Sequence, residues 1–307
     1  MRILLVTNVF GEGNTGLLVA QALNNLGHSV IFWNLFIKAN PPKEGYDLVI
    51  FWVNRPIPRD YFNTPVAYVY LDDPEFWKKE NPEYSVENCT KGYHYVFTNM
   101  MWDGFDPEKY IFMPMGALPE VHGFMRLSEE AKKQIGSDVV FVGTNRGKRA
   151  QLVREIKEKL DPKYSFKVWG NGWGTEGIKT KPVYFYEFSR VLSSCKIVIT
   201  EHWKNGCSTN DFEKPAVGGA LMITDCPIVK KIYPMCPIYS TPEEAVKIAQ
   251  YYLEHEDERL ELVKQMQRIA LGAFTYENQL YNIIQICTKG KEEWMKLLSR
   301  NSNSEKK

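Results

Sequence analysis

Apolar positions in this chain come in short unbroken runs, separated by polar and periodic stretches. The runs RILLVT (2–7), HSVIFWNL (28–35), DLVIFWV (47–53), PVAYVYL (65–71), YHYVFTN (93–99) and YIFMPM (110–115) are continuous rather than alternating. That pattern predicts strands covered on both faces, as in a parallel sheet flanked by helices. Between the first two runs, Val19, Leu23 and Leu26 share one face of a helix predicted from Thr15 to Leu26, and Gly27 is placed to close it in the left-handed conformation. Short or helical connections make the first ~120 residues one α/β unit.

A polar, helix-prone stretch, LSEEAKKQIGS (127–137), precedes a second start. DVVFVGT (138–144), YSFKVW (164–169), CKIVIT (195–200), ALMITD (220–225) and CPIYS (236–240) read as further strands. Leu152, Ile156 and Leu160 mark a helix over 149–160, and Leu262, Met266, Ile269 and Ala270 give a helix over 256–271 its apolar face. Helices are also predicted over 242–254 and 275–299, with a disordered tail RNSNSEKK. The expected fold is α/β with two Rossmann-like domains, 1–125 and 138–285. Residues 286–307 would form a C-terminal helix and tail, the helix packing back on the first domain. A cleft between two such halves is the expected ligand site.

Composition narrows the function classes. The 307 residues carry 38 basic and 37 acidic side chains, a net charge of +1, which is no electrostatic footprint for a nucleic-acid or membrane-surface protein. The six cysteines show no CxxC spacing, which points to a reduced, cytoplasmic setting. MRILLVTNV does not read as a leader, and no apolar stretch approaches the ~20 residues of a membrane helix.

GEGNTG (11–16) fits the dinucleotide spacing between a strand and a helix, but Asn34 stands where the second strand would need an acid for the ribose, so a nicotinamide or flavin site is disfavoured. The second half carries stronger signals. FVGTNRGKR (141–149) sets Gly143 at a strand end, followed by Arg146, Lys148 and Arg149 entering a helix, an arrangement suited to a diphosphate or, equally, to a solvated turn. FKVWGNGWG (166–174) ends the next strand in Gly170, Gly172 and Trp173; the indole would stack on a base or sugar, or anchor packing. In CSTNDFEKPAVGGALMITD (207–225), Ser208 and Thr209 open a short helix whose first amides and hydroxyls would face an anion. Glu213 follows on that helix, and a carboxylate there can accept both hydroxyls of a ribose. Gly218 and Gly219 would let the backbone turn closely into the next strand.

The order of FVGTNRGKR, VWGNGWG, SRVLSSCKIVIT, DFEKPAVGGALMITD, STPEEAVKIAQYYLEHEDER and FTYENQL resembles the C-terminal domain of GT-B glycosyltransferases, and within them the CgeB-like (spore-maturation-protein-like) branch. The resemblance covers 138–285 well. It is looser over 1–122, where GHSV (27–30), YLDDP (70–74) and MPMGALPEVH (113–122) carry it. It implies a nucleotide-sugar donor on the C-terminal domain, with a UDP-sugar expected and no permanently bound cofactor or metal. Glu213 would hold the ribose, Gly218 and Gly219 would pack near it, and Arg149 or its neighbours would face the diphosphate. Three positions depart from the pattern: Asn210 replaces an Arg, Asn205 replaces a first glutamate, and Leu118 replaces an Asp.

For chemistry, an inverting transferase needs a base in the N-terminal domain to take the acceptor proton. Asp72 and Asp73 at a strand end are the first candidates, with Glu12 in the glycine loop as an alternative. His202 is a candidate for a hydrogen bond to a sugar or phosphate oxygen. A retaining course needs no such base, so both stereochemistries stand. The leading expectation is a glycosyltransferase moving sugar to a hydroxyl acceptor: a saccharide, protein, metabolite or modified nucleic-acid base, the last without support from net charge. A nucleotide-sugar epimerase or hydrolase and a non-catalytic nucleotide-sugar-binding protein are the alternatives.

Overall fold

The computed structural model describes residues 1–7, 14–34, 43–52, 61–70, 82–93, 95–99, 105–114, 116–202 and 206–293. The chain divides into two compact units, Met1–Pro114 with the segment from Tyr276 onward, and Met115–Thr275.

The first unit is built on β1 (Arg2–Thr7), α1 (Thr15–Asn25), β2 (Ser29–Asn34), β3 (Leu48–Trp52), β4 (Val66–Tyr70), a short α2 (Val86–Thr90), β5 (Val96–Thr98) and β6 (Tyr110–Phe112). All six strands are parallel, in the order β2-β1-β3-β4-β5-β6. The unbroken apolar runs of β3 and β4 are buried at every position, as central parallel strands require. β2 reads the same in sequence yet leaves Phe32 43% exposed, because it is the sheet edge. Much of the aromatic content goes into this core: Phe51 stacks on Tyr68 at 5.7 Å and meets Phe62 and Tyr93 edge-on. Gly27 closes α1 at φ 79°, with His28 N–H reaching Leu23 O at 3.0 Å. The last glycine of GEGNTG has a packing role: a Cβ on Gly16 would lie 2.5 Å from Thr7 Oγ1, so it lets α1 approach β1.

The second unit contains α3 (Glu129–Ile135), β7 (Ser137–Val142), α4 (Arg149–Lys159), β8 (Phe166–Trp169), α5 (Phe185–Ser193), β9 (Cys195–Thr200), α6 (Asn210–Val217), β10 (Leu221–Thr224), α7 (Val229–Ile232), α8 (Pro242–Glu254) and α9 (Glu256–Ala273). Its parallel sheet runs β10-β9-β7-β8. Counted from the start of each unit, both sheets place the second strand on one side of the first, and the third and fourth on the other. That is one of the doubly wound orders, with its switch point between first and third strands. The run at 236–240 makes a single parallel bridge, Thr224 to Ile238, rather than a full strand.

The units are cut differently from the expected domains. α10 (Tyr276–Lys289) belongs to the first unit, where Asn25 Nδ2 donates to Glu277 Oε1 at 3.0 Å. It is interrupted at Gly290, which takes φ 93° and donates to Ile286 O; residues 291–293 are helical again, and the rest of the predicted 275–299 lies outside the described residues. Residues 116–125 belong to the second unit: Ala117 N–H donates to Phe274 O (3.1 Å), Ser189 Oγ to Val121 O (2.8 Å), and Met125 N–H to Ser193 Oγ (2.9 Å). No described helix is long and apolar enough to cross a membrane.

Candidate functional site

In the second unit the switch point lies between β7 and β9, and the loops leaving their carboxyl ends carry most of the motifs. The loops after β7 and β8 are stitched together. Asn145 N–H donates to Asn171 O (2.8 Å), Asn145 Nδ2 to Gly172 O (3.1 Å), and Trp173 Nε1–H to Gly143 O (2.8 Å). Gly170 is required by this seam, since at φ 148° a Cβ would fall 2.0 Å from Gly143 O. Gly172 sits at φ 78°. Trp173 is 1% exposed and meets Phe141 edge-on at 5.6 Å. Its faces are covered, so of the two roles open to it in sequence the structure takes the packing anchor and leaves no face for a base. Gly143 and Gly170 likewise serve the seam.

α4 begins with cations. Arg146 and Lys148 are exposed at its entry, Arg149 is its first residue, and its first turn holds no acid. The helix dipole disfavours cations there, in contrast to the acidic first turns of α3, α8 and α9. Arg149 is committed to protein groups: Nε–H donates to Glu201 Oε2 (2.9 Å), Nη2 to Glu201 O (3.0 Å) and Nη1 to Thr144 O (3.0 Å). It ties the ends of β7 and β9 across the switch point. Arg146 and Lys148 are the cations left open to a ligand.

α6 follows the loop after β9. At its start Asp211 Oδ2 accepts from Ser208 N–H (2.7 Å) and from Ser208 Oγ–H (3.3 Å), so Ser208 serves the helix start. Thr209 precedes the first turn with its side chain making no cap bond, and its carbonyl accepts from Phe212 and Glu213 N–H. Every residue from Asp211 to Val217 is buried. Lys214 donates from Nζ to Thr200 Oγ1 at 2.8 Å; burial pulls its ammonium down to about 8. Gly218 ends the helix at φ 69°, and Gln267 Nε2 donates to the last carbonyls, Ala216 O (3.0 Å) and Val217 O (3.3 Å). A Cβ on Gly219 would lie 2.3 Å from Leu192 O. Both glycines meet protein on the face a Cβ would occupy, which accounts for them without a ligand.

Glu213 is different. It is 8% exposed, and burial, against the pull of Lys214 and with the push of Asp211, raises its carboxyl to about 8. The described residues give it one charged or titratable contact in reach, His122 Nε2 at 3.7 Å from Oε1. Burial holds His122 down at about 4, so at neutral pH this is a pair of uncharged groups.

His202, at the end of β9, is held on both sides. Its Nε2 meets Asp211 Oδ2 at 2.7 Å and its Nδ1 meets Asp225 Oδ1 at 3.0 Å, while its backbone N–H also donates to Asp225 Oδ1 (2.9 Å). Burial lowers the imidazole pKa, but Asp211 and Asp225 outweigh it and raise it to about 9. Burial pushes the Asp211 carboxyl up, and the His202 charge and the Ser208 amide bring it below the usual range. Both ring nitrogens are engaged by protein, so His202 is a clamp joining β9, β10 and α6. Asp72, Asp73 and Glu12 lie outside the described residues. Sequence reasoning missed Asp211, although Ser208 and Asp211 have capping-box spacing, and missed His122, which carries no periodic signal. Among the described residues no three His, Cys, Asp or Glu side chains are grouped to hold a metal.

Residues 148–285 match the glycosyl transferase-like family. No curated protein matches the chain. Among solved structures, the Anabaena protein Alr3699/HepE in complex with UDP-glucose is 12% identical, with a TM-score of 0.67 over 93% of this chain and 98% of that one. Trehalose-6-phosphate from E. coli bound with UDP-2-fluoro glucose, as that structure is described, gives 11%, 0.66, 94% and 99%. WaaG, a glycosyltransferase involved in lipopolysaccharide biosynthesis, gives 10%, 0.62, 94% and 100%. At these identities the likeness is one of fold. The parallel α/β units have the GT-B architecture, and residues 148–285 are similar to the glycosyl transferase-like family.

Proposed function

We propose that this chain is a nucleotide-sugar-dependent glycosyltransferase whose donor site is built on α4, α6 and the β7 and β9 loops of the second unit. The observation that carries this reading is the family match over 148–285, a segment that spans α4 and α6. Three features of the chain support it. The carboxyl ends of β7 and β9 flank the switch point of a doubly wound sheet, where ligands of such folds bind. Arg146 and Lys148 crowd a helix start that disfavours them until an anion arrives. Glu213 is a buried acid with no ion pair to a cation at neutral pH, a costly arrangement for a purely structural group.

In this reading Glu213 receives the ribose hydroxyls, and Arg146, Lys148 and the first turn of α6 face the diphosphate. UDP is the expected nucleotide, since the similar Anabaena and E. coli structures are described with UDP-sugars. The acceptor is a hydroxyl compound and the donor site works without a resident metal.

A thermal-shift panel with UDP, GDP, CDP, dTDP, ADP and NAD, each with and without Mn²⁺, tests the reading. UDP at ~100 times its dissociation constant is expected to stabilise the protein by roughly 2.7 kcal/mol without the metal. Stabilisation by NAD alone would overturn it.

A further inference from the structure

His122 has no assigned role, and its surroundings define one. The segment that carries it is fastened to the second unit at Ala117, Val121 and Met125, and a Cβ on Gly116 would fall on Phe274 O. His122 itself is 2% exposed, with the Phe188 ring edge-on at 6.2 Å. Leu118 N–H donates to its Nδ1 at 3.0 Å. In a neutral imidazole that bond puts the proton on Nε2. Nε2 faces Glu213 Oε1 at 3.7 Å, just outside hydrogen-bond range. Asp211 and Lys214, both on α6, are the other charged groups that act on Glu213.

We propose that His122 is a positioning residue of the donor site: its Nε2–H, aimed by the Leu118 bond, fixes the Glu213 carboxyl in the pose that receives the nucleotide ribose. This rests on the donor-site reading of Glu213. The step balances simply. A carboxylate accepting two ribose hydroxyls must first lose the proton that burial keeps on it, which passes to solvent, and Nε2–H then donates to the new anion. Nucleotide binding is therefore accompanied by proton release below about pH 8, the value to which Glu213 is raised, and tightens with pH up to that point.

UDP titrations of the full chain between about pH 6 and 9 test this, on wild type, His122→Asn, His122→Gln and Glu213→Gln. An Asn amide oxygen can take over the Nδ1 position and keep the Leu118 bond, but reaches no further, whereas a Gln amide extends to the Nε2 position. His122→Asn is expected to weaken UDP binding about tenfold at neutral pH and to move the affinity plateau to higher pH, with His122→Gln restoring both. Wild-type affinity and pH profile in His122→Asn, beside weakened binding in Glu213→Gln, would overturn this inference alone. So would equal losses in His122→Asn and His122→Gln that track a fall in melting temperature. Failure of the wild type to bind any nucleoside diphosphate would overturn the donor-site reading and this inference together.

Discussion

His202 and His122 both face carboxyl groups of α6, yet they hold opposite charge states. His202 meets Asp211 at 2.7 Å and Asp225 at 3.0 Å, and its pKa rises to about 9. His122 meets Glu213 at 3.7 Å, and its pKa falls to about 4. Both rings are buried, so desolvation alone would lower both. Two short charge-assisted bonds overcome that cost at His202; one long contact does not at His122. The outcome passes to the acids as well. Asp211 is a committed anion, while Glu213 stays a neutral acid at about 8. A charged clamp thus fixes the start of α6, and an uncharged pair two residues on leaves the Glu213 carboxyl without a salt bridge among the described residues at neutral pH.

The largest way to break this contrast is to cut the clamp. His202→Ala leaves Asp211 buried without its nearest cation, with only Ser208 among the described residues still donating to it, and is expected to destabilise the fold by about 3–5 kcal/mol in urea unfolding at neutral pH. The pH dependence follows with a definite sign. The folded pKa of His202 lies above its ordinary 6.5, so its contribution is complete below pH 6.5 and is lost as pH rises through about 9. The stability gap between wild type and His202→Gln should close over that window.

His122 should show the reverse. Its folded pKa lies below 6.5, so the unfolded chain takes up the proton first and wild type loses stability as pH falls from 6.5 towards about 4. His122→Gln is expected to flatten that loss, read as the difference in melting temperature across the same window. Glu213 gives a third test, with the sign of an acid whose pKa is raised. Its folded pKa is raised, so keeping it buried costs stability that grows from pH 4.5 to about 8. Glu213→Gln is expected to change stability little at pH 5 and to raise it at pH 8. A loss of stability at pH 8 would mean that the carboxylate serves the fold.

Much of the frame was legible in sequence for a physical reason. Central parallel strands must be apolar on both faces, so β3, β4, β7 and β9 announce themselves as unbroken runs, and α8 covers the predicted 242–254. A glycine can interrupt a helix whose periodicity reads as continuous, as Gly290 does. The site was legible as a set of residues but not as roles. Sequence leaves Trp173 open between a stacking face and a packing anchor, and Gly170 and Trp173 both meet Gly143 across a loop seam that no local pattern encodes. The resemblance sets Gly218 and Gly219 near the ribose, whereas the protein groups they meet are Gln267 and Leu192. Arg149 has the charge expected of a phosphate ligand, but Glu201, far along the chain, claims it. His122 is oriented by the Leu118 N–H within its own loop, and although it closes MPMGALPEVH, nothing in that segment attaches a role to the histidine.

The most direct measurement is a calorimetric titration of UDP into wild type and Glu213→Gln at pH 8, where the carboxyl of Glu213 reaches its midpoint. The account predicts saturable binding to wild type and at least tenfold weaker binding to the variant, about 1.4 kcal/mol, with a melting temperature no lower than that of wild type. Equal affinity in the two proteins would contradict it, and would return Glu213 to the core of α6.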